Sequence, residues 1–240
     1  VFLLALVPTM EVVARKFFHT GVPQSTFLTQ HLVFALAFLA AMITAREGKH
    51  LSLSLDMAIP GRLRPFTRFL VGLLSTMVST CLALAGASFV LNALGDDLTI
   101  WFIPGRWFLS IMALGFAVMG WRFLKPLPTR RSRWVAGCLG LLLGVLFSIG
   151  TLDEIFMGLG AQSPSWLSGL GEHLLPALPT LTLLAIGVLL LSALLGTPIF
   201  VVMGGIALLL FIREGSGTAI IPNEAYSMLI DNSIPAIPPF

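Results

Sequence analysis

The sequence predicts an all-α integral membrane protein with about seven transmembrane helices, and three observations carry that prediction. Hydrophobic residues make up 57% of the 240-residue chain and charged residues only 10%, against roughly 25% charged in soluble domains, and the mean hydropathy is +0.97. Apolar stretches of near-crossing length recur along the whole chain. Ten of the fourteen Lys and Arg residues fall in two connecting segments, 46–68 and 122–133, whereas the connector between them carries Asp96 and Asp97 against Arg106. Short loops rich in Lys and Arg stay on the cytoplasmic side. Two basic connectors on one side and acidic ones on the other give the chain an orientation.

A hydrocarbon core of ~30 Å takes about 20 helical residues at about 1.5 Å each. The spans that fit are 1–18, 26–45, 69–91, 107–124, 134–152, 177–195 and 199–212. Backbone polar groups cannot stay unpaired in lipid, and none of these stretches alternates as a barrel strand does, so each is read as a helix. Residue 1 then starts inside, the Pro23 loop and the acidic loops lie outside, and the turn Gly196-Thr197-Pro198 falls inside. The seventh span is short, and Arg213-Glu214-Gly215-Ser216-Gly217 interrupts it, leaving a tilted helix or one that bends back.

In the first span Glu11 and Arg15 are four residues apart on one helix face. Pairing reduces the cost of a charge at membrane depth, about 2.5–3.5 kcal/mol for an unpaired one near the bilayer centre. A structural pair near the outer interface is favoured over an ion or proton relay. The second span ends in the charged run Arg46-Glu47-Gly48-Lys49-His50. After it, Leu51, Leu53 and Leu55 alternate with polar residues while Leu51, Leu55 and Ile59 also share a helical face, and either pattern gives an interfacial segment. The third span has a ridge of small residues, from Gly72 to Ala87, and the fifth has the pair Gly140 and Gly144, both suited to close helix packing. Between the fourth and fifth spans, Lys125-Pro126-Leu127-Pro128 stops one helix before another begins. Trp101, Trp107, Trp121, Trp134 and Trp166 lie near span ends, as interfacial aromatics do.

Several functions are excluded. The cations sit where topology puts them, so a pI near 9.3 gives no reason to expect nucleic acid as a partner. Cys81 and Cys138 both lie in apolar spans, suggesting neither a disulfide framework nor a zinc site. His19, His31, His50 and His173 have no metal-ligand spacing, and no Ser sits in a GxSxG turn. Ser168 and His173 fall in an outer loop, away from membrane depth. No catalytic, substrate-binding, metal or cofactor residue is assigned.

The residues do resemble a known family, the tripartite ATP-independent periplasmic (TRAP) transporters. Arg15 near the end of the first helix, Pro23 in the short outer loop, and Ala45-Arg46-Glu47-Gly48-Lys49-His50 after the second are similar to the four-helix small permease, the DctQ type. Gln30-His31 stand where that family commonly has acidic residues. Leu194 to Gly205, with Gly196 and Pro198, resembles the Gly-x-Pro turn joining the first two helices of the large permease, the DctM type. Pro235-Ala236-Ile237-Pro238-Pro239-Phe240 resembles a later stretch of it, with Pro239 where Leu is usual. The resemblance implies residues 1–128 as the small permease, 129–175 as a linker helix and outer loop, and 176–240 as the N-terminal part of the large permease. Both ends lie in apolar sequence, so the chain is expected to be a piece of a longer protein. Also implied are a bacterial inner-membrane, multi-pass location, import of an organic anion such as a carboxylate, and sodium coupling at a site beyond these residues. Its partners would be a periplasmic substrate-binding protein, the rest of the large permease and membrane lipids. A non-transport scaffold, sensor or assembly module is the competing expectation.

Overall fold

The computed structural model describes residues 2–21, 24–47, 52–54, 61–92, 99–100, 103–165, 169, 178–214 and 217–230. Nine helices run through them: α1 Phe2–Phe18, α2 Ser25–Glu47, α3 Arg64–Asn92, α4 Gly105–Phe123, α5 Arg130–Phe147, α6 Ile149–Gly158, α7 Leu178–Leu194, α8 Ile199–Arg213 and α9 Ile220–Ile230. Four short strands join them: β1 Ser52–Ser54, β2 Thr99–Ile100, β3 Ile103–Pro104 and β4 Leu195–Pro198.

Among the described residues, Ser25–Ala45 and Arg64–Asn92 are long and apolar enough to cross a membrane, and the bent pair α5–α6 makes a third if it counts as one span. Thr182–Leu194 and Ile199–Arg213 are shorter apolar helices. At 15 residues α8 reaches about 22 Å, below the ~30 Å of a hydrocarbon core.

α3 is the hub, packing against α4, α5, α6, α8 and α9. Its apolar window is 56% buried, against 22% for α2, and its small residues are the reason. A Cβ on Gly140 would lie 2.9 Å from the Thr76 Cβ and 3.1 Å from the Leu73 carbonyl oxygen, and one on Gly144 would lie 2.7 Å from the Thr80 Cβ. The glycine pair of α5 therefore meets the Ser/Thr/Gly ridge of α3 almost backbone to backbone, as small-residue helix contacts in lipid do. Thr76 donates to the Gly72 carbonyl at 2.8 Å and the Gly120 carbonyl at 3.3 Å, joining α3 to α4. Cys81 donates to the Gly144 carbonyl at 3.3 Å. Two apolar clusters flank the hub. One centres on Val78, Leu82, Val201 and Leu208 between α3 and the α7–α8 pair, and the other on Phe34, Phe89, Leu109, Met112 and Tyr226. Large side chains such as Leu142, Leu183, Leu184 and Leu191 face outward, as a lipid-facing surface requires.

The structure departs from the sequence reading in the span expected over 134–152. The chain bends by 72° between α5 and α6. Ser148, at φ −104 and ψ 21, sends its N–H to both the Gly144 and Val145 carbonyls, which closes α5. Asp153 and Glu154, just past the end of that expected span, lie within α6, where Glu154 is hydrogen-bonded to α3. Hydropathy scores both acids as loop formers and cannot see that partner. The other end of α5 begins with a capping box: Thr129 accepts from the Ser132 N–H, and the Ser132 side chain accepts from the Thr129 N–H. The helix thus starts at Arg130, before the expected residue 134.

The turn at Gly196 is also more than a turn. Leu195–Pro198 pairs antiparallel with Ser52–Ser54, with Ser52 opposite Pro198 and Ser54 opposite Leu195. Gly196 has φ +102, a backbone region open to glycine and strained for other residues. The alternation of Leu51-Ser52-Leu53-Ser54 therefore resolves into a strand over 52–54.

Candidate functional site

The described functional groups gather at the two ends of the bundle. At one end, α2 finishes, α3 begins, α4 finishes and α5 begins. The Arg122 guanidinium in the last turn of α4 donates to the Met42 carbonyl near the end of α2. Leu127, 1% exposed, lies over Gly72 of α3, and Arg133 donates to the Leu127 carbonyl at 3.0 Å. The β1–β4 pair joins the same end, because β1 follows α2 and precedes α3. The described parts of both basic segments, 46–47, 52–54, 61–68 and 122–133, thus meet at one end of the bundle.

The opposite end is built from polar contacts within and between helices. Glu11 of α1 accepts from Arg15 at 2.5 Å and from the hydroxyl of Ser25, which opens α2. Glu11 is 16% exposed and Arg15 68%, so the pair has its carboxylate against α2 and its cation turned outward. That arrangement anchors α1 and leaves no buried charge to relay. Glu11→Gln keeps an acceptor for Ser25 and removes the charge, so it is expected to leave the chain's activity intact and to lower stability by about 1 kcal/mol, the net worth of a typical hydrogen bond. An activity assay beside thermal unfolding checks this, and normal expression with lost activity would restore the relay.

Ser88 of α3 donates to the Glu154 carboxylate at 2.7 Å, and Asn92 donates to the Glu154 backbone carbonyl at 2.9 Å. Thr151 of α6 and Thr218, just before α9, share a hydrogen bond between two buried hydroxyls. A shallow cavity of about 370 Å³ lies between Ser88, Asn92, Glu154, Ala219 and Asn223.

His31 in the second turn of α2 is 1% exposed. Its Nδ1 lies 2.8 Å from the Phe27 carbonyl and its Nε2 3.2 Å from the Tyr226 hydroxyl. A carbonyl only accepts, so Nδ1 carries the proton and Nε2 accepts from Tyr226. Phe27, Phe108 and Tyr226 pack on the ring at centroid distances of 4.4, 5.6 and 5.6 Å. This links α2, α4 and α9 across a sequence separation of 195 residues.

In the sequence His31 reads as an isolated histidine, and Tyr226 carries no role. The one available signal is Gln30-His31 at the family's acidic position. Of the residues singled out from sequence, Glu11 and Arg15 are paired, Gly196 and Pro198 lie in β4, and Arg46 and Glu47 end α2. Pro23, Lys49, His50, Pro235 and Pro238 lie outside the described residues. Among the described residues no group of His, Cys, Asp and Glu is arranged to hold a metal ion.

Apolar helices around a small-residue hub, with an outward surface of large hydrophobic side chains, define a helical membrane protein. A family model described as "Tripartite ATP-independent periplasmic transporters, DctQ component" matches residues 4–127. The chain belongs to that family, whose members are inner-membrane components that work with a periplasmic binding protein and a large permease. No curated protein and no solved structure matched the chain. The matched stretch holds α1 to α4 and ends in the turn before α5, so α5 to α9 lie beyond it.

Proposed function

We propose that the chain is the static membrane platform of a TRAP transporter that imports an organic anion of the carboxylate class, driven by an ion gradient. Residues 1–128 act as the small permease, 129–175 as linker helix and outer loop, and 176–240 as the beginning of a fused large permease. About seven crossings are proposed, with both basic segments in the cytoplasm, as the positive-inside rule favours.

The observation that carries this reading is the grip of the family-matched part on the helices C-terminal to it. α3 packs against α5 and α8, β1 pairs with β4, and α9 docks on α2 and α3. A unit attached along its length to the first helices of its neighbour is suited to hold that neighbour still while another part moves.

The test is uptake of a panel of labelled organic carboxylates by cells with and without the chain, the binding protein and the rest of the large permease being supplied. Binding-protein-dependent uptake should be lost without the chain. Arg46→Gln/Lys49→Gln should lower the amount of assembled transporter while the KM of the remainder stays unchanged. Uptake that persists without the chain contradicts the transport reading, and a shifted KM with normal assembly contradicts the scaffold role.

A further inference from the structure

We propose that the groove between α3, α4 and α5 is a binding site for one anionic phospholipid, with an acyl chain in the groove and the phosphate among Lys125, Arg130 and Arg133. The groove holds about 440 Å³, within the range of ligand pockets. Its body is apolar, formed by residues such as Leu84, Phe116 and Leu141. Gly120 and Gly137 line it too and contribute no side chain to fill it. It opens sideways, where Trp121, Trp134 and Cys138 are exposed, so a lipid can enter from the bilayer plane without dismantling the bundle.

The chemistry of the mouth identifies the occupant. Lys125, Arg130 and Arg133 lie at one end of an otherwise apolar lining, and among the described residues none of them forms an ion pair. Lys125 and Arg130 are exposed. Trp121 and Trp134 stand edge to face beside them, ring centroids 6.3 Å apart, at the depth where indoles meet headgroups. An apolar slot ending in three cations and two interfacial indoles matches a molecule with a hydrocarbon tail and an anionic head. A soluble anion would leave the slot empty, and an uncharged lipid would leave the cations unpaired. Basic residues near a membrane surface favour anionic lipid. The inference needs only the membrane setting and stands whether or not the chain transports.

The test uses the full chain with Trp101, Trp107 and Trp166 changed to Phe, so that Trp121 and Trp134 report. It is reconstituted in phosphatidylcholine bilayers containing a minor fraction of lipid brominated on its acyl chains, either phosphatidylglycerol or phosphatidylcholine. Brominated phosphatidylglycerol should quench with an apparent affinity at least about fivefold higher, the preference one basic residue at the headgroup supplies. Lys125→Gln/Arg130→Gln/Arg133→Gln should abolish the preference, and so should Cys138→Phe, which fills the slot without touching charge. Equal quenching by the two lipids overturns the proposal on the unaltered mouth alone, whatever the variants do. A preference that survives Cys138→Phe overturns it as well, because the lipid would then be drawn to surface charge and not seated in the groove.

Discussion

Replacing Gly144 with leucine is expected to separate α5 from α3 and leave little folded protein. Even a Cβ there would lie 2.7 Å from the Thr80 Cβ and 2.9 Å from the Met77 carbonyl oxygen, and the carbonyl is part of the α3 backbone. It cannot swing away as a long side chain would. Overpacking a close contact costs about 1–3 kcal/mol, and leucine adds three more carbons beyond that Cβ. The variant should unfold at a lower temperature in detergent, followed by tryptophan fluorescence. Gly150→Ala is the control. Nothing lies within 4 Å of its added Cβ, and alanine in a helix gains up to about 1 kcal/mol over glycine. A Gly144→Leu protein as stable as the wild type would contradict the packing of α5 on α3.

Changing His31 to alanine is expected to be the most damaging single change at the opposite end, at about 2–4 kcal/mol. Deleting a buried ring leaves a cavity, and the Tyr226 hydroxyl loses its acceptor in a place where an unsatisfied group costs about 1–3 kcal/mol. His31→Phe keeps most of the volume and orphans the hydroxyl alone, so it should cost less. Tyr226→Phe removes the orphan as well, and in the His31→Phe background it should restore part of the loss. Because Tyr226 joins α9 to the bundle, His31→Ala should also expose 217–224 to protease. Equal protease resistance in variant and wild type would show that α9 is held by other contacts.

The helices are legible in the sequence because the signal is local. Apolar length marks α2 and α3, and the Gly140/Gly144 spacing marks the face of α5 that meets α3. The bend at Ser148 is not legible, since nothing in an apolar run announces where a helix ends and restarts. α6 escapes for a related reason: Glu154 looks like a loop residue until Ser88 and Asn92, more than sixty positions earlier, are folded against it. The β1–β4 pairing and the His31–Tyr226 contact join positions far apart in the chain, and no pattern within either segment specifies its partner. The Glu11–Arg15 pair is readable because four residues is about one helical turn. Its bond to Ser25 depends on how α1 and α2 pack, and is not.

The platform reading is tested most directly by locking β1 to β4. Ser52 and Pro198 are Cα partners in that antiparallel pair, at a separation of about 4.5–5.5 Å in such ladders, which a disulfide can bridge. In a chain whose exposed Cys138 is replaced by serine, Ser52→Cys/Pro198→Cys is expected to cross-link on oxidation. Uptake of the substrate that the wild-type transporter accepts should then continue unchanged, because a static platform keeps the two strands fixed against each other. Uptake that stops on oxidation and returns on reduction would contradict the account, showing that these two segments must part for the transporter to work.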